Sequence, residues 1–548
     1  MPSARSALAA LDEAQQYAVT TDAAPLCILA GAGAGKTRVL TRRVARRILE
    51  GSADADHVLV LTFTRRAAGE LRERLFRLGA DRARRTSAAG GVTAGTFHSV
   101  AYATLRRYWA DSGLRPMAVV RSRHGLLLEL AQGDHALASA AGTEIAWAKA
   151  RLVGPSDYAS AVATAGRRPG ASDAGRIGGM YTRYEAALAR RGVLDVDDLL
   201  VRCRLVMESE PSVADVERWR FRHFFVDELQ DVNPAQMALL RAWLGGRDDL
   251  CVVGDPAQAI YAWNGSDPEL LARFPQIFPG AEVVRLTRNY RSTHEIVVAA
   301  SSVLPAAERS SVEAIMSGPL PTVRSFDDEN AEAVAIARSV RRARGPGTSW
   351  SQIAVLARTH AQLSAVSAEL EAAGIPWART GADGEHEGVV APGSDQSLPH
   401  GGGPDDDDGK VGTGSGGEPR QAVALSTFHA AKGLEWDAVF VAGIEDGLVP
   451  HRQAASSSAA RAEERRLLYV ALSRATRSLH ISWARRRNIG GRPVARRPSP
   501  WLAAVESALA SMGDLMAPIS AQEGLQKIEG LRSVLADSRP VGQSRLQK

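Results

Sequence analysis

Short runs of unbroken apolar character recur along the chain: Leu26–Leu29, Val58–Thr62, Phe224–Val226, Leu250–Gly254, Val283–Leu286, Ile353–Leu356, Val423–Ser426 and Val439–Ala442. Continuous rather than alternating hydrophobicity is what a strand shows when both faces are covered. Between the runs the period changes to that of a helix, as at Val39, Leu40, Arg43 and Val44. Strands alternating with helices predict an α/β protein built on parallel sheets.

Two stretches interrupt this rhythm. Residues 98–200 carry few strand signals and read as a largely helical insertion. Residues 381–420 hold twelve glycines, four consecutive aspartates (Asp405–Asp408) and no aromatic residue. Too little apolar surface is available there to offset chain entropy, so the pattern predicts a disordered loop. Strands resume at about Ala422, which puts the loop inside one domain rather than between two.

At 548 residues the chain has room for several cores, and 45% hydrophobic with 23% charged residues is globular composition. A net charge of +6 is compatible with a polyanionic partner without requiring one. The cysteines, Cys27, Cys203 and Cys251, form no CxxC pair and read as buried free thiols. With no apolar leader and no long apolar span, the expectation is a cytoplasmic protein with no membrane contact.

Candidate chemistry begins at Ala30-Gly31-Ala32-Gly33-Ala34-Gly35-Lys36-Thr37-Arg38. A loop of small residues between strand and helix lets backbone N–H groups converge on phosphate. Lys36 would reach the β- and γ-phosphates and Thr37 would bind Mg²⁺. Ala30 stands where such loops usually have Gly, and the loop alone leaves the use of the nucleotide open. In "FFVDELQD" an acid pair follows an apolar strand: Asp227 is placed to hold Mg²⁺ and Glu228 to activate water, which a hydrolase needs. In "CVVGDPAQAIYAWNGSD", Gln258 could sense the γ-phosphate. Tyr261 and Trp263 are either core residues or faces on which single-stranded bases stack.

These motifs, with others in the same order over roughly residues 9–505, resemble a superfamily 1 helicase of the UvrD/Rep/PcrA type. The others are "LDEAQQYAV", "TFTRRAAGELRERL", "GTFHSVAY", "LTRNYRST", "STFHAAKGLEWDAVFVAGIEDGLVP" and "EERRLLYVALSRAT". The resemblance implies two RecA-like motor domains around ATP and Mg²⁺. The first is split into 1–97 and 201–290 by the insertion 98–200, and the second into 291–378 and 421–505 by the loop 379–420, with a tail at 506–548. It further implies that Gln15 reads adenine, that Tyr290 packs on adenine opposite Arg38, and that Glu435 holds the ribose. Arg291 and Arg474 would act on the γ-phosphate. Phe63, Thr64, Thr96, Phe97, His98, Tyr261, Trp263 and His429 would contact single-stranded DNA.

The chain departs from the family pattern at Asn264, where Arg is usual. It has only the Gly/Asp loop where a second accessory domain is usual. "ARRRNIGGRPVARRPSPWL" resembles a strand-separating hairpin without the aromatic at its tip, and its arginines either grip phosphates or form a solvated face. The expected function is ATP-dependent 3′→5′ movement on single-stranded DNA and at duplex junctions, in repair or recombination, in the bacterial cytoplasm at the nucleoid. The alternative is a motor subunit of a larger repair or defence complex, unwinding weakly alone; the expected state is a monomer or weak oligomer. A switch protein that binds ATP without turnover fits Glu228, Arg291 and Arg474 poorly.

Overall fold

The computed structural model describes residues 8–80, 91–120, 122–169, 173–309, 312–345, 347–380 and 422–516. The predicted loop at 381–420 and the tail beyond 516 lie outside the described residues. Two six-stranded sheets organise the chain, and every pairing within them is parallel.

The first sheet runs Thr93–Thr96, Val58–Thr62, His223–Val226, Leu250–Gly254, Leu26–Ala30, Glu282–Leu286 from edge to edge. Its central strands are buried almost throughout, with Leu29 half-buried, as their apolar runs require. One face packs Cys27, Leu59, Phe224 and Val252 under helices Phe97–Asp111, Asp198–Ser209 and Pro234–Leu244. The other packs Ile28, Val60, Phe225 and Cys251 under helices Lys36–Leu49 and Arg65–Arg77. The edge strand Thr93–Thr96, "TAGT", escapes hydropathy reading because its residues are small and polar.

Helices Arg123–Leu130, His135–Ala150, Tyr158–Thr164 and Ala174–Arg191 enclose a core of their own around Ile145, Trp147, Tyr158 and Tyr184. Ala118–Val119 pairs with Val193–Leu194, which ties the entry of this helical block to its exit.

The second sheet runs Thr322–Phe326, Ala475–Ala484, Trp436–Ala442, Ile353–Ala357, Val423–Thr427, Trp377–Arg379. Trp377 pairs with Val423, so residues 380–422 are all the chain has between these neighbouring strands. Arg486–Ile489 and Arg492–Ala495 form an antiparallel hairpin turned by Gly490 and Gly491, whose φ values of 59° and 81° are the mirror-image turn that glycine favours. The cysteines are all free and buried, with Cys27 and Cys251 in the cores on opposite faces of the first sheet. Among the described residues no helix is long and apolar enough to cross a membrane.

Candidate functional site

The first strand ends at Ala30, and five residues separate it from helix Lys36–Leu49. Gly33 and Gly35 in the connecting loop have φ of 74° and 83°. Gly33 is also fixed by space: a Cβ there would lie 2.7 Å from both Arg291 Cβ and Asn289 Oδ1. The crowding arises because strand Arg288–Thr293 is laced onto the loop. Asn289 Nδ2 donates to the Ala32 carbonyl at 2.7 Å, and the Tyr290 N–H donates to that of Gly33 at 2.9 Å.

Lys36 opens the helix, its Nζ 3.9 Å from Asp255 Oδ2, both side chains buried. Thr37 Oγ1 donates to Asp227 Oδ2 at 3.3 Å. Glu228 follows in a left-handed conformation (φ 53°), unusual for a side chain of its size, and accepts from Gln230 Nε2. Burial and the adjoining Glu228 carboxylate push the Asp227 pKa up. Against the penalty of burial, Lys36 and Lys432 hold that of Glu228 down, so Glu228 stays ionised. Thr37 and Asp227 bring two oxygens together. Among the described residues no group of three or more His, Cys, Asp or Glu could hold a metal. Such a sparse set suits Mg²⁺, which keeps water and takes phosphate oxygens as ligands.

At the end of the loop nearest the chain's N-terminus, Gln15 Nε2 donates to the Ala34 carbonyl at 3.0 Å and Arg38 Nη2 to the Ala10 carbonyl at 2.7 Å. The Tyr290 hydroxyl donates to the Asp12 carboxylate, which also caps the helix carrying Gln15. Gln15, Arg38 and Tyr290 therefore gather around one end of the loop.

The second sheet closes the other end. Arg474 is 1% exposed; its Nη2 donates to Gln258 Oε1 at 3.3 Å, and Gln258 Nε2 donates to Asp255 Oδ2 at 2.6 Å. Burial, with Arg291 nearby, pushes the Arg474 pKa down, the mark of a cation set where an anion would relieve it. Arg291 pairs with Glu435. Lys432 Nζ reaches Asp231 Oδ2 and the Gln258 carbonyl, both at 2.6 Å.

Beside this cleft lies a row of rings. Phe63, 39% exposed, stacks on Tyr261 with centroids 4.9 Å apart and planes 19° apart. His429 lies 6.4 Å from Tyr261 and 6.3 Å from Trp263, which is 44% exposed. Thr64 is at the surface as the cap of helix Arg65–Arg77. Two expected DNA contacts do not belong to the row. Phe97 is 3% exposed and stacks on Trp243 inside the first core, so it offers no face to a base. Thr96 is buried, and its Oγ1 is engaged by the Ser99 N–H as a helix cap. Half-buried His98 faces Asp197 at 3.7 Å.

The hairpin arginines take a role the sequence reading did not offer. Arg487 is buried between Glu445 and Glu332, Arg485 meets Asp327 at 2.9 Å, and Arg486 meets Asp328 at 3.9 Å. Arg487 serves the fold and not a phosphate track, whereas Arg485 and Arg486 stay exposed in surface ion pairs. The sequence reading also passed over Asp12, Asn289, Asp255 and Lys432. Each is a single polar residue inside or beside a quoted motif, with no spacing pattern of its own to mark it.

The UvrD/REP helicase N-terminal domain model matches residues 11–279, and the UvrD-like helicase C-terminal domain model matches 284–383 and 413–486. The chain is 38% identical to the ATP-dependent DNA helicase UvrD2 of Mycobacterium tuberculosis, over 90% of this chain and 81% of that one. It is 31% identical to the ATP-dependent DNA helicase PcrA of Leuconostoc citreum over 68% of this chain and 50% of that one. Against DNA helicase II of Escherichia coli the identity is 24%, over 90% and 87%.

Proposed function

We propose, because the chain belongs to the UvrD/REP family and is an ATP-hydrolysing DNA helicase, that it moves 3′→5′ along single-stranded DNA by closing its two sheet units on ATP. The direction is taken from the family resemblance. The observation that carries the motor reading is the split site: Lys36, Asp227 and Glu228 belong to the first unit, while Arg474 reaches Gln258 from the second. Hydrolysis then depends on how the units sit together, which is what couples turnover to motion.

Lys36 and the loop N–H groups bind the phosphates, and Thr37 and Asp227 would hold Mg²⁺, which would neutralise phosphate charge. Glu228, ionised and half-buried, takes a proton from the attacking water. Arg474 and Arg291 stabilise the charge that grows in the transition state. Gln15, Arg38 and Tyr290 position adenine. Phe63, Tyr261, His429 and Trp263 offer faces for successive bases, a contact that does not depend on sequence.

A second reading, a motor subunit whose partner supplies strand separation, is favoured by the hairpin. Its turn is Gly490-Gly491 with no ring to stack against an opening base pair. The first reading sets it in DNA repair or recombination at the bacterial nucleoid, the second in a larger repair or defence complex. Two assays on the purified protein test this: ATPase with and without single-stranded DNA, and streptavidin displacement from each end of an oligonucleotide. Strong strand stimulation, displacement from one end only and poor unwinding of a 3′-tailed duplex are expected. Strand-independent turnover would sink the motor reading, and processive unwinding by the monomer would sink the second.

A further inference from the structure

Resting on the motor reading, the strip of six residues Gln258–Trp263 lies between the nucleotide and the base platform. Gln258 at one end touches Arg474, and Trp263 at the other belongs to the aromatic row. The second unit grips this strip at four points. Besides Arg474, Lys432 Nζ donates to the Gln258 carbonyl at 2.6 Å and Arg466 Nε to the Ala259 carbonyl at 2.9 Å. The fourth grip is Glu463, whose Oε1 accepts from the Ala262 N–H at 2.8 Å and the Trp263 N–H at 3.4 Å.

Glu463, Arg466 and Arg474 all come from helix Ser458–Leu472 or the residues just after it. One rigid element thus holds the platform at one end and delivers an arginine to the γ-phosphate end at the other. The helical block braces the same turn from the opposite direction. Arg167 Nη2 donates to the Trp263 carbonyl at 3.0 Å, while its Nε is held by Glu144 at 3.0 Å. Gly265, with φ 98°, packs so tightly there that a Cβ would lie 2.6 Å from Ala150 Cβ.

We infer that Glu463 is a positioning residue that makes the Trp263 platform answer to nucleotide. It grips the Ala262 and Trp263 N–H groups when the second unit is seated, and lets the turn go when that unit moves away. Arg167 moves with the first unit and is a static brace. The two roles differ in their thermodynamic signature. Loss of a static brace weakens strand binding equally in all nucleotide states, whereas loss of a coupling contact changes the ratio between states.

The test measures the Kd of a dT oligonucleotide with and without a non-hydrolysable ATP analogue, for wild type, Glu463→Ala, Glu463→Gln, Arg167→Ala and Trp263→Ala. Wild type should show a ratio in the typical coupling range of about 5–150-fold. In Glu463→Ala the ratio should fall to within about 2-fold of unity. Glu463→Gln, which keeps an acceptor oxygen and the side-chain shape, should retain most of it. Arg167→Ala should raise both Kd values by the same factor and leave the ratio alone. In a Trp263→Ala background, adding Glu463→Ala should change little further. An undiminished ratio in Glu463→Ala, or additive effects with Trp263→Ala, would overturn the inference while leaving the motor intact. Loss of strand-stimulated turnover in wild type would instead strike the motor reading itself.

Discussion

Arg291 and Glu435 form an ion pair beside the cleft, Nε to Oε2 at 2.5 Å. The proposed γ-phosphate arginine is thus already tethered by the residue proposed to hold the ribose. Ser292, the next residue, donates to the Ala475 carbonyl of the second sheet at 2.7 Å. Arg291 is therefore held by the second unit, while Asn289 and Tyr290 just ahead of it bind the Ala32 and Gly33 carbonyls of the first, so it is poised before any nucleotide charge arrives.

If Arg291 and Arg474 act on charge that develops during phosphoryl transfer, each Ala variant should lose on the order of 10³-fold in strand-stimulated turnover. Nucleotide affinity should change far less, since the ground state carries less of that charge. Steady-state kinetics beside equilibrium nucleotide binding separates the two. A variant with weakened affinity and normal turnover would mean that the arginine only binds.

Lys36→Ala should abolish hydrolysis, because the cradle loses its point charge and Asp255 its buried partner. Glu228→Gln should keep nucleotide binding and lose turnover, since the amide still occupies the site but cannot take a proton. Near-normal hydrolysis by the Gln variant would show that another group activates water.

Trp263→Ala should weaken single-strand affinity by about 1–3 kcal/mol, and by similar amounts on different base sequences. Phe97→Ala should behave in the opposite way. Its ring is packed on Trp243 in the core, so the loss should appear as about 3–5 kcal/mol of stability in urea unfolding. Equal stability of Phe97→Ala and wild type would contradict the core placement.

Arg487→Met should destabilise the fold by about 3–5 kcal/mol, because Glu445 and Glu332 would be left buried without their cation. Arg492→Ala, at the exposed side of the hairpin, should shift stability by less than about 0.5 kcal/mol. Denaturant melts of the two variants make the comparison. An Arg487→Met protein as stable as wild type would return that arginine to the pool of candidate phosphate contacts.

The fold was legible wherever burial on both faces forces a continuous apolar run, as at Val58–Thr62 or Leu250–Gly254. It was illegible at Thr93–Thr96, which joins the sheet through backbone pairing with small polar side chains. The loop and the acid pair were readable because their chemistry lies within a few consecutive residues. Phe97 was misread because a motif fixes order along the chain but not which side of a helix faces inward. Arg487, Lys432 and Glu463 show a further limit. Their partners Glu332, Asp231 and Ala262 are 155, 201 and 201 positions away, and no local pattern announces an ion pair or cap made at such range.

The buried thiols have a practical consequence. Burial pushes Cys27 up to about 12 and Cys251 up to about 11, and it raises Cys203 as well, so little thiolate is present at neutral pH. Maleimide dyes should therefore ignore the native cysteines of the folded protein. Ser112, exposed at the end of helix Phe97–Asp111, and Ser351, exposed ahead of strand Ile353–Ala357, offer one attachment point on each unit. A fluorophore pair placed there would let single-molecule energy transfer follow domain closure in a chain that keeps its three cysteines.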